Sequence, residues 1–157
     1  MGVNKLQDEV AMLRTLPMFA NMPNNKLKLL AFASDRVTFR EGETLFEQGD
    51  EGDAAYIVLH GKADVLVASN GAEAKVAELG ENAFVGDMAI ISDMPRTATV
   101  RASTNLETLR IRKEHMMEMV QESRELALAV LREVVNRLAT TTRDLSAARS
   151  ELASLKG

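Results

Sequence analysis

One short stretch of this chain collects the residues an anion site needs. It reads Gly86-Asp87-Met88-Ala89-Ile90-Ile91-Ser92-Asp93-Met94-Pro95-Arg96-Thr97-Ala98. A glycine lets the backbone come close to a ligand. The apolar run after it can form one or two helical turns, whose first N–H groups are unsatisfied and point outward. Pro95 sets the chain direction just before Arg96, whose planar guanidinium can grip an anionic group with paired, charge-assisted hydrogen bonds. Thr97-Ala98-Thr99-Val100 then alternates polar and apolar, as a strand does. Arg96 is therefore expected to leave a barrel strand and point back at the glycine turn.

Other chemistry has little support. There is no cysteine, which removes disulfides, thiolate nucleophiles and Cys-ligated metals. The two histidines, His60 and His115, lie far apart, with no serine or metal-ligand pattern beside either, and read as surface residues. A metal-dependent cupin would need more histidines on its strands. Asp50-Glu51-Gly52-Asp53 lacks the ligand spacing of an EF-hand loop and reads as a solvated turn. The expectation is a binding protein and not an enzyme, with no metal and no cofactor. A net charge of −4 argues against general binding to nucleic acid or a membrane surface. No apolar run reaches the ~20 residues of a membrane span, and the N-terminus has no signal-peptide apolar region. These readings point to a cytoplasmic protein.

The elements that must hold Arg96 follow from periodicity. At 157 residues the chain suits one domain, expected to bury about 70% of its unfolded surface. With no tryptophan and few other aromatics, the core is expected to be aliphatic and Met-rich. Leu6, Val10 and Leu13 make one stripe of a helix over residues 3–14, which Pro17 stops. A second helix is expected from Asn25 to Phe32, with Asn24 as its N-cap. From Arg36 to Ile111 short β-branched and apolar runs alternate with Gly, Asp and Asn. Strands are expected near 36–40, 44–47, 55–60, 62–68, 74–79, 83–85, 97–101 and 106–111. Asn70-Gly71 is the clearest hairpin turn. Helical period returns at Lys113–Val120 and in a long helix from near Ser123 to Leu155. The stripe Leu131, Val134, Leu138, Thr141, Leu145, Ala148, Leu152, Leu155 steps by three and four, a coiled-coil seam that implies a homodimer.

The stretch around Arg96 resembles the phosphate-binding cassette of the cyclic nucleotide-binding domain family. That family reads Gly-Glu-(Leu/Met)-Ala, an apolar pair, a spacer, then Pro-Arg-(Ser/Ala/Thr)-Ala. Here these are Gly86-Asp87-Met88-Ala89, Ile90-Ile91 and Pro95-Arg96-Thr97-Ala98, with Asp87 departing from the usual Glu. The resemblance implies a mainly β fold with flanking α: an eight-stranded β jelly roll with N-terminal helices and a long C-terminal helix. The expected division is a helical segment over 1–34, the jelly roll over 35–111 with its cassette at 84–98, and C-terminal helices over 112–157. It implies a phosphate held by Arg96 and the backbone of Met88 and Ala89, with the Thr97 hydroxyl on another phosphate oxygen or on a guanine amino group, and a ribose hydroxyl bound by Asp87. Val85 and Met88 line the pocket or are plain core, and Ala98 completes the motif. Similarity to the catabolite activator branch places base contacts at Thr141 and Thr142, with Arg137 paired to Asp87.

The function expected from this resemblance is a cyclic nucleotide receptor, cyclic AMP first, which signals occupancy through its C-terminal helix. Alternatives are a cyclic GMP-selective domain, a degenerate domain used for dimerisation or interaction, or the excised regulatory part of a larger signalling enzyme. The chain ends at Gly157, so no DNA-binding domain is expected after the long helix.

Overall fold

Strand β3 (Ala54–His60) is buried from Ala54 to Leu59, and the reason organises the fold. Alternate side chains of a strand point to opposite faces. Ala54, Tyr56 and Val58 enter a cluster with Ala63, Val85, Val100, Ala102 and Leu106. Ala55, Ile57 and Leu59 face the other way, into a cluster with Leu13, Phe19, Leu27, Leu30, Met116 and Leu126. One face of this strand closes a β sandwich and the other is roofed by helices. Each large aliphatic side chain so buried contributes about 1.5–3 kcal/mol.

The computed structural model describes residues 2–156, with side chains for residues 7–86, 89–90 and 92–155. Two helices lead, α1 (Gly2–Thr15) and α2 (Asn24–Ala33). The strands are β1 (Asp35–Phe39), β2 (Thr44–Phe46), β3, β4 (Ala63–Ser69), β5 (Ala72–Leu79), β6 (Phe84–Val85), β7 (Thr99–Ala102) and β8 (Leu106–Arg112). Helix α3 (Asp87–Ser92) lies between β6 and β7, and α4 (Lys113–Glu122) and α5 (Arg124–Lys156) close the chain. The strands form two four-stranded sheets, ordered β1-β8-β3-β6 and β2-β7-β4-β5. All their pairings are antiparallel. This is the expected jelly roll with flanking helices.

Several details differ from the sequence reading. Asn24 is the first residue of α2 and not its cap; Pro23 holds the cap position, with no side-chain hydrogen bond. The Asn24 side chain instead accepts from Arg14. Strand β7 begins at Thr99, so Arg96 lies on the approach to the strand. Residues Asn70 and Gly71 both have positive φ, 54° and 79°, as the hairpin turn requires. The edge strand β5 is exposed along nearly its whole length, and Lys75 on it bridges Asp64 and Glu78, a charged edge that discourages pairing with another sheet. Among the described residues no helix is long and apolar enough to cross a membrane.

Candidate functional site

Arg96 is only 3% exposed although it is charged. Its main chain is held on both sides by the loop after β2: its N–H donates to the Asp50 carbonyl, and its carbonyl accepts from Gly49 N–H, both at 2.8 Å. The side chain runs inward over the Phe46 ring, with Cζ 3.9 Å from the ring centroid. Nη1 donates to the Gly86 carbonyl at 2.7 Å and Nη2 to the Ala54 carbonyl at 2.5 Å. Nε is buried and has no hydrogen-bond partner among the described residues.

Among the described residues, both hydrogen-bond partners of the guanidinium are neutral carbonyls. The carboxylate nearest to it among the described residues is Asp53, with Oδ1 3.7 Å from Nη2, and that side chain is 88% exposed. Burial pulls the Arg96 guanidinium below its usual range, and Asp53 partly restores it. A buried cation with a solvent-screened partner leaves a local positive potential. Its natural complement is an anion small enough to enter.

Backbone shape explains why glycines flank this arginine. Gly86 caps α3 in the left-handed region, φ 81°, and a Cβ there would lie 2.4 Å from Arg96 Nη1. At Gly52 a Cβ would lie 2.5 Å from the Ala89 Cβ. The segment 49–54 therefore forms an arch that touches α3 and Arg96 together. Asp50, Glu51 and Asp53 are exposed, as the reading of a solvated turn expects, and the backbone of the same segment also holds Arg96.

Beside Arg96 lies a cavity of about 510 Å³, within the range of small-molecule sites. Val85, Gly86, Ala89, Arg96, Thr97 and Ala98 line it, as does Arg137 from α5. Its remaining walls are mostly apolar: Phe46, Val65, Leu79, Phe84, Met94 and Val100. Those wall residues were not singled out from sequence, because an apolar residue facing a cavity and one facing the core leave the same pattern. Asp87 and Met88 occupy the first turn of α3. Their side chains lie outside the described residues, as does the expected Asp87–Arg137 pair. Arg137 donates Nε–H to Glu133 Oε1, one turn back on α5, at 3.1 Å. Thr141 and Thr142 are exposed and do not line the cavity.

The arrangement of sandwich, capped α3 and buried arginine has known relatives. The family described as "Cyclic nucleotide-binding domain" matches residues 36–123, more than half of the chain. The chain belongs to that family. This cyclic nucleotide-binding domain is 30% identical, over 66% of its length, to a cAMP-dependent protein kinase regulatory subunit of Blastocladiella emersonii, of which it covers 26%. It spans about a quarter of the length of the relatives it matches. Among solved structures it is similar to the N-terminal domain of a transcriptional regulator from Streptomyces coelicolor A3(2). That match has 33% identity and a TM-score of 0.69, covering 83% of this chain and 94% of that one. The fold is shared with a regulatory subunit of a cAMP-independent protein kinase A from Trypanosoma brucei: 24% identity, TM-score 0.73, 85% of this chain and 48% of that one.

Proposed function

We propose that this cyclic nucleotide-binding domain is a receptor for cyclic AMP that reports occupancy through α5 and performs no chemistry on its ligand. The observation that carries the reading is Arg96, a buried cation beside an apolar cavity, held, among the described residues, by two carbonyls and screened by one exposed carboxylate. A cyclic phosphodiester supplies one negative charge at that point, while the apolar walls suit a sugar and a base. Thr97, which lines the cavity next to Arg96, supports cyclic GMP as the competing ligand.

The base is taken to be covered by α5. Arg137 already reaches the cavity, and Thr141 follows it four residues later, on the same helix face. The exposed side of α5 carries Leu131, Leu138, Leu145 and Leu152 at seven-residue spacing, with Leu128 and Val135 beside them. That row supports a parallel pair of helices and hence a homodimer, in which Thr142 faces the partner. A receptor for an intracellular messenger works in the cytoplasm, and the relatives' length is consistent with a regulatory role inside a larger signalling protein.

The test is calorimetric titration of the wild type, Arg96→Ala and Thr141→Val with cyclic AMP and cyclic GMP. Removing Arg96 is expected to weaken binding by about a hundredfold, the loss of about 3 kcal/mol of charged hydrogen bonding. Thr141→Val is expected to reduce the preference for cyclic AMP. A wild type that binds neither nucleotide at low salt overturns the receptor reading.

A further inference from the structure

We infer that Lys113, the first residue of α4, is a positioning residue that ties both walls of the anion site to the helices that follow. The inference rests on the receptor reading above and concerns how occupancy leaves the site. Lys113 makes two contacts from one position. Its ammonium group pairs with the Asp93 carboxylate. Its backbone N–H donates to the Asp53 carbonyl at 2.9 Å.

Each contact reaches a different wall. Asp93 is the C-cap of α3 and sits in the left-handed region, φ 58°. A non-glycine residue there is costly, so a partner that fixes its side chain helps to define the chain path into Met94, Pro95 and Arg96. Asp53 belongs to the arch: its carboxylate lies nearest Arg96, and the next residue, Ala54, receives Arg96 Nη2. The α3 wall is represented at Arg96 by the Gly86 carbonyl. An anion seated on the guanidinium must therefore act on two carbonyl contacts whose segments both meet again at Lys113.

Geometry beyond Lys113 leaves little slack. Helix α4 packs on α3 and buries Met116 and Met119. It ends at Ser123, whose N–H donates to the Met119 carbonyl and whose hydroxyl accepts from Leu126 N–H in the first turn of α5. A single residue separates α4 from α5, so a shift of the first turn of α4 is carried into α5 with no loop to absorb it. Asp93 also holds the Lys113 ammonium above its usual range, with Glu51 and Glu114 adding to the effect. A pair this exposed adds little to global stability, so its effect is expected in coupling and not in the fold.

The experiment is hydrogen exchange on the full chain, with and without saturating cyclic AMP, for the wild type, Lys113→Met, Lys113→Arg and Asp93→Asn. Affinity is measured in parallel. In the wild type, ligand slows exchange in the cassette and across α4 and the first half of α5. Lys113→Met and Asp93→Asn are expected to keep the cassette response, to change affinity by less than about tenfold, and to lose at least half of the α4–α5 response; Lys113→Arg restores it. A full α4–α5 response in Lys113→Met, with wild-type binding intact, overturns the latch alone. A wild type without ligand binding overturns the receptor reading and the latch together. If Lys113→Met fails to fold, Asp93→Asn removes the same pair from its exposed end and decides the matter.

Discussion

Arg96 shows how one residue can be dictated by its neighbours' backbones. Its charge is buried because Gly49 and Asp50 fix its main chain, Phe46 supports its side chain, and Gly86 and Ala54 receive its N–H groups. The close fit at Gly86 makes a sharp prediction. Alanine there would occupy the left-handed region, costing about 1–2 kcal/mol, and its methyl would meet Nη1 at 2.4 Å. Gly86→Ala is expected to lower the melting temperature modestly and to weaken nucleotide binding by at least about tenfold. A variant that binds as the wild type does would show that the guanidinium is free to move aside. The need for a glycine and an arginine here was readable from residue types. The identity of their partners was not, since the Ala54 carbonyl comes from a residue whose side chain is silent on the matter.

At the scale of elements, α5 carries two faces that the linear pattern does not separate. Leu126 and Val130 are buried, and Val134 is half-buried against the same core. Val135 is exposed, in line with Leu128, Leu131 and Leu138. The sequence stripe ran through Val134 because steps of three and four are compatible with either register; packing on the barrel claims Val134 and leaves Val135 outward. The two faces therefore predict different outcomes. Val134→Ala is expected to destabilise the fold by about 1 kcal/mol and to leave association unchanged. Leu138→Glu is expected to leave the fold intact, since Leu138 is 65% exposed, and, on the homodimer proposed above, to shift sedimentation towards monomer. A sedimentation profile of Leu138→Glu equal to that of the wild type would overturn the α5 row as the proposed dimer contact. The acidic side chains of the turn at 50–53 are exposed as its composition suggests, while its backbone hydrogen bonds to Arg96 left no trace in the sequence.

For the whole molecule, the first and last strands of the chain, neighbours in one sheet, are tied by charge. Asp35 opens β1 and receives Arg110 and Arg112 from β8, both at 3.1 Å. The Arg110 hydrogen bond, aided by Arg112, holds its carboxyl below the usual range. A depressed carboxylate adds stability that is present above its unfolded value and is lost as pH falls through its folded value. The contribution is thus full at neutral pH and fades below about pH 4. Asp35→Asn is expected to be less stable than the wild type at pH 7 and to show a shallower acid limb in denaturant titrations at several pH values. Parallel pH profiles for the two proteins would show that the pair adds nothing.

The sequence by itself determined the strand and helix succession, the hairpin at Asn70-Gly71, and the glycine and arginine of the anion site. These depend on local backbone preference and on side-chain period, which neighbouring residues carry with them. Tertiary structure alone decided that the 49–54 arch clasps Arg96 and that Val134 joins the core while Val135 stays outside. Each of those outcomes is a contact between segments distant in the chain, set by how sheets and helices pack around one strand buried on both faces.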